Sequence, residues 1–540
     1  MELNKLEQSF KLNHFNTEDD IKIHFHSDIV KPLLEKVNPM MASQYRSEDN
    51  LLAGGRTDAT FQNISFELKK YKYFQNVNGV NEALYGRNDK DHGLYDYIIS
   101  NAGISGSETI DAMKFKLLNS IGVGFDGNTF IFARFVPSPT FQKINTDKLK
   151  IDIDINLSVS FNYEVKDFAS GLKRLALLLK QQDKIALNKK NLISIINPKS
   201  PFVRKSIKTI YDELQFNLND LNGSTRVRTL YKEWDRVFGT MYGEDDEATS
   251  FTEVSSVIKE TYGYSEDVTI DSKVYLFALQ TFFNMFLKLL IYSFLAQLVS
   301  PTFKAESLTK PQIDKLFDGE LNKYESLVNN FFESHFMEWF TYTCSESKFD
   351  TTVVNNILDV VNQFDLSTYI LKPEEIQDIL QEVYMELIPA EMRHLMGEYF
   401  SPDWIVEHAL DLVGYKGDIE KTLIDPTAGS GTFLTHAIKR IVSNADGKLS
   451  RNDIDKITHN VIGFDINPIS VVSAKANYIL AVFSSCDDAV FEDFADPINV
   501  PIYIADSILS PVVYTEESEL TLSIDTSVGK FQIPKFEDYS

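Results

Sequence analysis

Apolar residues Ile21, Phe25, Ile29, Leu33 and Leu34 recur at helical spacing. Thr17, followed by Glu18, Asp19 and Asp20, supplies a cap and an acidic first turn, so the pattern predicts a helix over 17–37. Pro32 falls inside that stripe and predicts a kink or an earlier end. The period then changes. Gly54 to Phe61 contains a glycine turn, and Ile64-Ser65-Phe66-Glu67-Leu68-Lys69 alternates as a strand does, which predicts two strands joined by a short turn. A second hairpin is expected at Ile121-Gly122-Val123-Gly124-Phe125 and Thr129-Phe130-Ile131-Phe132, turning at Asp126-Gly127. From about 165 to 390 the pattern is helical, with helices expected at 172–184, 206–214, 229–242, 274–299, 311–338, 353–364 and 373–387. After 390 short apolar strands alternate with helices: a strand at 422–425, a glycine turn, a helix through Leu434, Ala437, Ile438 and Ile441, a strand at 461–465, a helix at 469–480 and a strand at 502–504. The expectation is a multi-domain α/β protein with units at 1–165, 166–390 and 391–540, the middle one all-α.

Composition changes this picture little. The chain has 540 residues, 43% of them apolar and 12% aromatic, which suits packed cores rather than disorder. The apolar stretch 274–299 is long enough to cross a bilayer, but Gln280, Asn284, Lys288 and Gln297 interrupt it, so a buried core helix and no membrane contact are expected. The N-terminus is polar and shows no signal peptide, and two cysteines, Cys344 and Cys486, suit a reducing compartment, so the expected location is cytoplasmic. A net charge of −25 argues against a protein that coats nucleic acid. A local basic face is still present between Lys173 and Lys208, where ten lysines and arginines stand against the single acid Asp183. It reads equally as a solvated helical surface or as a DNA contact.

Two places carry candidate chemistry. In the first hairpin, Glu67 and Lys69 share a face and Asp58 lies near the end of the partner strand. Two carboxylates and a lysine at a sheet edge are hard oxygen ligands for Mg²⁺ and an amine to orient water. The bland alternative is a surface hairpin with a charge pair. In the last unit, Asp425-Pro426-Thr427-Ala428-Gly429-Ser430-Gly431-Thr432-Phe433 joins a strand to a helix, and Asp465 ends the next strand. A glycine turn at a helix N-terminus and an acid after the following strand hold a nucleoside-bearing cofactor, the backbone at the turn and the carboxylate on the ribose. The Gly-x-Gly-x-x-Gly dinucleotide fingerprint is absent.

Asp58 followed by Glu67-Leu68-Lys69, with a helix bearing Glu18 before it and a hairpin after it, resembles the PD-(D/E)xK nucleases. That resemblance implies catalytic roles for Asp58, Glu67 and Lys69, with Mg²⁺ held by Asp58 and Glu67. The Asp-Pro-x-x-Gly-Ser-Gly-x-Phe block stands in order after Gly397-Glu398-Tyr399-Phe400-Ser401-Pro402 and before Phe464-Asp465-Ile466-Asn467-Pro468 and Ala505-Asp506-Ser507. This series resembles the N6-adenine DNA methyltransferases of restriction–modification systems, in a form fused to a nuclease. The likeness implies a Rossmann-like sheet, double-stranded DNA as partner and S-adenosylmethionine as methyl donor. Tyr399, Phe400, Ser401 and Pro402 would border its methionine end, and Asp425, Gly429, Gly431 and Phe433 would bracket methionine and ribose. Asp465 would take the ribose hydroxyls and Asp506 the adenine amino group.

One departure bears on activity. The family's Asn/Asp-Pro-Pro-Tyr/Phe block, which receives the flipped target base, does not occur anywhere in the 540 residues. Three expectations follow from the resemblance. The methyltransferase sheet is incomplete, the chain is the N-terminal part of a larger or split enzyme completed by a second chain, and it does not methylate alone. A catalytically inert cofactor- or DNA-binding subunit is the alternative from a different class, and a methyltransferase acting on RNA or protein is a third.

Overall fold

In the computed structural model the described residues are 2–11, 15, 17–37, 49–50, 56–57, 59–61, 63–88, 91–104, 110–149, 156–180, 184–242, 248–300, 303, 305–319, 327–333, 335–343, 349–366, 379–395, 398, 400–445, 448–486, 488–491, 496–505, 507, 521–526 and 529–534. They form two compact units, Met1–Lys184 and Ile185–Ser540.

The first unit is built on a five-stranded mixed sheet whose strands, in spatial order, are Ala59–Phe61, Ile64–Leu68, Ile121–Phe125, Thr129–Lys143 and Asn156–Asp167. Ile64–Leu68 is buried on both faces, and it pairs antiparallel with the strand before it and parallel with Ile121–Phe125. A parallel neighbour needs a crossover, and helices Val77–Tyr85, Leu94–Ala102 and Ile110–Leu118 provide it. The expected Asp126-Gly127 hairpin forms. The Asp126 carboxylate closes it by accepting from the backbone N–H groups of Phe74, Asn128 and Thr129 at 2.7, 3.0 and 2.7 Å. On one face Phe10, Phe25, Phe125, Phe130 and Phe168 form an aromatic cluster, with Phe125 and Phe130 centroids 4.3 Å apart. Thr17 caps its helix through a reciprocal bond with Asp20. Ahead of Pro32 the helix widens into a π-turn over Phe25–Val30, so the missing proline N–H is absorbed without breaking the helix.

The second unit contains the apolar helix Ser272–Val299, which is long and apolar enough to cross a membrane and is buried within this unit. Three of its polar side chains meet partners inside the protein. Trp234 Nε1 donates to Gln280 at 2.8 Å, Asn284 donates to Glu338 at 2.8 Å, and Lys288 Nζ lies 2.5 Å from Glu338. Burial opposes charge on Glu338, but Lys288 and His335 outweigh it and hold the carboxyl well below the usual range. The same apolar core continues from Leu187 to Ile502, so the helical segment and the last sheet share one core.

That sheet has three parallel strands in the order Leu423–Asp425, Val461–Asp465, Ile502–Ile504. Helices Thr432–Asn444 and Pro468–Ser484 follow the first and second strands.

Four details differ from the pattern read in the sequence. The strand Asn156–Asp167 and the helix Phe168–Lys180 carry the first unit past residue 165. No boundary separates the helical segment from the sheet at 391, because they share a core. The single helix expected at 311–338 stops at Phe317, where Gly319 takes a φ of +80°, and Val328 instead bridges to Ile498. An antiparallel pair, Thr521–Thr526 with Gly529–Pro534, was not legible in the sequence.

Candidate functional site

The site of interest lies at the carboxyl ends of the parallel strands, where open α/β sheets take their ligands. Asp425 ends the first strand and Asp465 the second. Between them in space runs the turn Pro426–Gly431. Ala428 N donates to Phe464 O at 2.7 Å, and Gly431 N donates back to Ala428 O at 2.7 Å. Gly429 has a φ of +53°, and a Cβ built there would meet nothing within 4 Å. Gly431 has a φ of +84°, and a Cβ there would sit 3.1 Å from Ala474 on the following helix. The two glycines therefore do different work. Gly431 lets the helix Thr432–Asn444 start tight against Pro468–Ser484, while Gly429 leaves open space on the ligand side.

Asp465 is half-buried and fixed at both oxygens. Gly429 N donates to Oδ2 at 2.8 Å and Asn467 N donates to Oδ1 at 2.8 Å. A carboxylate offers about four acceptor positions, so two hydroxyl donors can still be received. Burial pushes the Asp465 carboxyl above its ordinary range, the Asn467 and Gly429 N–H groups pull against that, and Asp425 adds to the rise. Burial raises Asp425 likewise, opposed by the Thr427 N–H at 3.1 Å. These are two carboxylates short of full ionising comfort beside an open glycine turn. The arrangement fits a ligand that brings hydrogen-bond donors, such as ribose hydroxyls, better than it fits an anion.

The remaining expected residues fall as follows. Phe400 packs on the core with its ring edge-on to Tyr384, centroids 6.2 Å apart. Ser401 is half-buried and Pro402 exposed, and Pro402 caps the helix Asp403–Leu412. Phe433 packs on the core from the first turn of its helix. Tyr399 and Asp506 lie outside the described residues. Their neighbours are tied to the site, since Glu398 binds Asn467 at 2.7 Å, Ala505 N donates to Asp465 O at 3.0 Å and Ser507 Oγ donates to Pro426 O at 2.8 Å.

Side chains that sequence reading missed support the turn from beneath. Gln381, on the helix Ile379–Leu387, accepts from Thr432 Oγ1 at 3.2 Å, and Asn477 donates to Ser430 O at 2.9 Å. Nothing in the sequence around Gln381 marks it. Glu398 and Asn467, by contrast, adjoin residues already singled out. On the next helix pair, Asp403, Glu407 and Asp411 face His436 and Arg440. His436 Nδ1 lies 2.5 Å from Glu407 and Nε2 3.2 Å from Asp403, while Arg440 reaches Asp411 at 3.0 Å and also pairs with Glu407. This ladder pins the helix that follows Pro402 onto the helix that follows Gly431.

In the first unit Glu67 is buried and paired with Lys69, whose backbone N–H donates to Phe125 O at 2.9 Å just past the strand end. Asp58, their expected companion, lies outside the described residues. Among the described residues no three His, Cys, Asp or Glu side chains converge as metal ligands, so they do not by themselves assemble a Mg²⁺ site.

The second unit's geometry is a parallel α/β sheet with a glycine turn and two strand-end acids at its carboxyl edge. Residues 375–499 match the family described as N-6 DNA Methylase, a match that takes in Gln381, Asp425, the glycine turn and Asp465. Comparison with curated proteins gave no match. Among solved structures, a cryo-EM structure of a DrdV–DNA complex aligns at 11% identity and a TM-score of 0.28, covering 93% of this chain and 39% of that one. An ATP-dependent Type ISP restriction-modification enzyme, LlaBIII, bound to DNA aligns at 12% identity and a TM-score of 0.26, covering 64% of this chain and 20% of that one. TM-scores this low establish neither fold nor function for this chain.

Proposed function

We propose that the Ile185–Ser540 unit binds S-adenosylmethionine as the donor half of an adenine N6 DNA methyltransferase in a restriction–modification system. The observation that carries this is the pair Asp425 and Asp465 flanking the Gly429 turn inside the segment matched by the N-6 DNA methylase family. The cofactor supplies a methyl group on a sulfonium, and the protein's part is to hold it. Asp465 receives the ribose hydroxyls, with its orientation set by the Gly429 and Asn467 N–H groups. Asp425 and the turn border ribose and methionine. Phe400, Ser401 and Pro402, steadied by the His436–Glu407–Arg440 ladder, border the methionine end with Tyr399, and Asp506 meets the adenine amino group. No Asn-Pro-Pro-aromatic sequence occurs in these 540 residues, so they supply a donor site without that acceptor block. The acceptor is double-stranded DNA in the cytoplasm, with the acceptor block supplied either by further residues of the same polypeptide or by a second chain. The expected result is that the purified 540-residue protein binds S-adenosylmethionine and transfers no tritiated methyl group to duplex DNA. Adenine methylation by this protein alone would overturn the second part.

The first unit, on the same proposal, is the nuclease partner. What supports it is a mixed sheet with Glu67 buried in a central strand and Lys69 at that strand's end. Lys69→Ala is expected to abolish divalent-cation-dependent cleavage of unmodified DNA while leaving donor binding unchanged. Cleavage at the wild-type rate rejects the assignment.

A second reading is a non-catalytic cofactor-binding subunit. It is favoured by the same missing block and predicts donor binding with no methylation even when a candidate partner chain is added.

A further inference from the structure

Two loops meet beside the Asp465 carboxylate, and one side chain joins them. Glu398 Oε1 accepts from Asn467 Nδ2 at 2.7 Å and from the Tyr384 hydroxyl at 3.0 Å. Asn467 is held at three points. Its Oδ1 accepts from Ile469 N at 3.0 Å and caps the helix Pro468–Ser484, its Nδ2 goes to Glu398, and its own backbone N–H goes to Asp465 Oδ1 at 2.8 Å. An amide whose carbonyl is committed to a helix N-terminus is held more firmly when its NH₂ also has an acceptor on the other side. Glu398 is that acceptor. Tyr384, on the helix Ile379–Leu387, ties the same oxygen to the helical segment, one turn from the Gln381 contact to Thr432.

We propose that Glu398 is a positioning residue for the donor site: by fixing Asn467 it aims the Asp465 carboxylate at the cofactor's ribose. The inference rests on the S-adenosylmethionine reading above. It places Glu398 as an element that acts through Asn467 and Asp465, so its removal weakens recognition of the ribose hydroxyls rather than of the whole ligand.

The test uses the full 540-residue protein, with calorimetric titration of S-adenosylhomocysteine and of its 2′-deoxyribose analogue. Wild type is expected to prefer the ribose ligand about ten-fold, the size of one hydrogen bond to a charged group. Glu398→Ala is expected to lose most of that preference while binding the deoxy ligand as wild type does. Glu398→Gln, which keeps an oxygen acceptor for both donors, is expected to restore it. Tyr384→Phe keeps its ring against Phe283 and Phe400, removes a single bond, and is expected to fall between wild type and Glu398→Ala. A Glu398→Ala protein that weakens both ligands equally, the signature of a merely structural role, overturns the inference. Should Glu398→Ala fail to fold, an undiminished ribose preference in Tyr384→Phe overturns it instead. Wild type binding neither ligand overturns the cofactor reading and this inference together. Wild-type binding with unchanged preference in the variants overturns the inference alone.

Discussion

On the proposed reading, Asp465 is prepared for a ligand by being left partly unsatisfied. Burial and the neighbouring Asp425 raise its carboxyl, and two backbone N–H groups hold it in place without fully compensating. Hydroxyl donors from a bound ribose favour the ionised form, so binding lowers a carboxyl that stands high in the free protein. The sign follows by linkage. Affinity is at its full value above the raised value of the free protein and is lost as pH falls through it, with a proton released on binding in that window. Titration calorimetry from neutral into the acid range, in two buffers of different ionisation enthalpy, is expected to show affinity falling toward low pH with proton release on binding. Affinity flat across that range contradicts the assignment of Asp465 as the hydroxyl acceptor. The strand-end position of this residue was legible in the sequence, because a short apolar run leads into it. Glu398, Asn467 and Gln381 were not, because their roles depend on which loops meet, and one sequence does not state that.

Among the elements, the helix Ser272–Val299 was read as buried because Gln280, Asn284, Lys288 and Gln297 interrupt its apolar run, and the structure buries it within its unit. Its interior ion pair was not legible. Lys288 could have reached solvent, and the structure instead places it wholly buried against Glu338. The energetic consequence differs sharply from that of a surface pair of equal length. Lys288→Met leaves Glu338 in the core without its lysine, held only by His335 and Asn284, and is expected to cost about 3–5 kcal/mol of unfolding free energy. Lys208, also 2.5 Å from its partner Asp212 but half exposed, is expected to cost under about 1 kcal/mol on the same change. Chemical denaturation of the two variants checks the contrast, and equal losses would mean that the buried pair is not formed in solution. The helix expected at 311–338 failed because Gly319 and the Val328–Ile498 bridge outrank apolar periodicity, a long-range pairing that no local window contains.

For the whole molecule, the three-part organisation read from the apolar pattern gives way to two compact units, since the helical segment and the last sheet share one core. The family match points the same way by starting at residue 375, inside the helical segment. Motif order made the second unit's sheet readable, because the Asp425 block, Asp465 and the third strand occur in the order in which the sheet lays them side by side. The first unit's chemistry is less readable, because Glu67 and Lys69 gain meaning only with Asp58, which lies outside the described residues. The account therefore stands on donor binding by the second unit. Calorimetric titration of S-adenosylmethionine into the wild-type protein and into Asp465→Ala tests it most directly. A saturable one-to-one isotherm for wild type, weakened at least about ten-fold in a folded Asp465→Ala protein, is the predicted result. No binding by wild type, or equal binding by both, contradicts it.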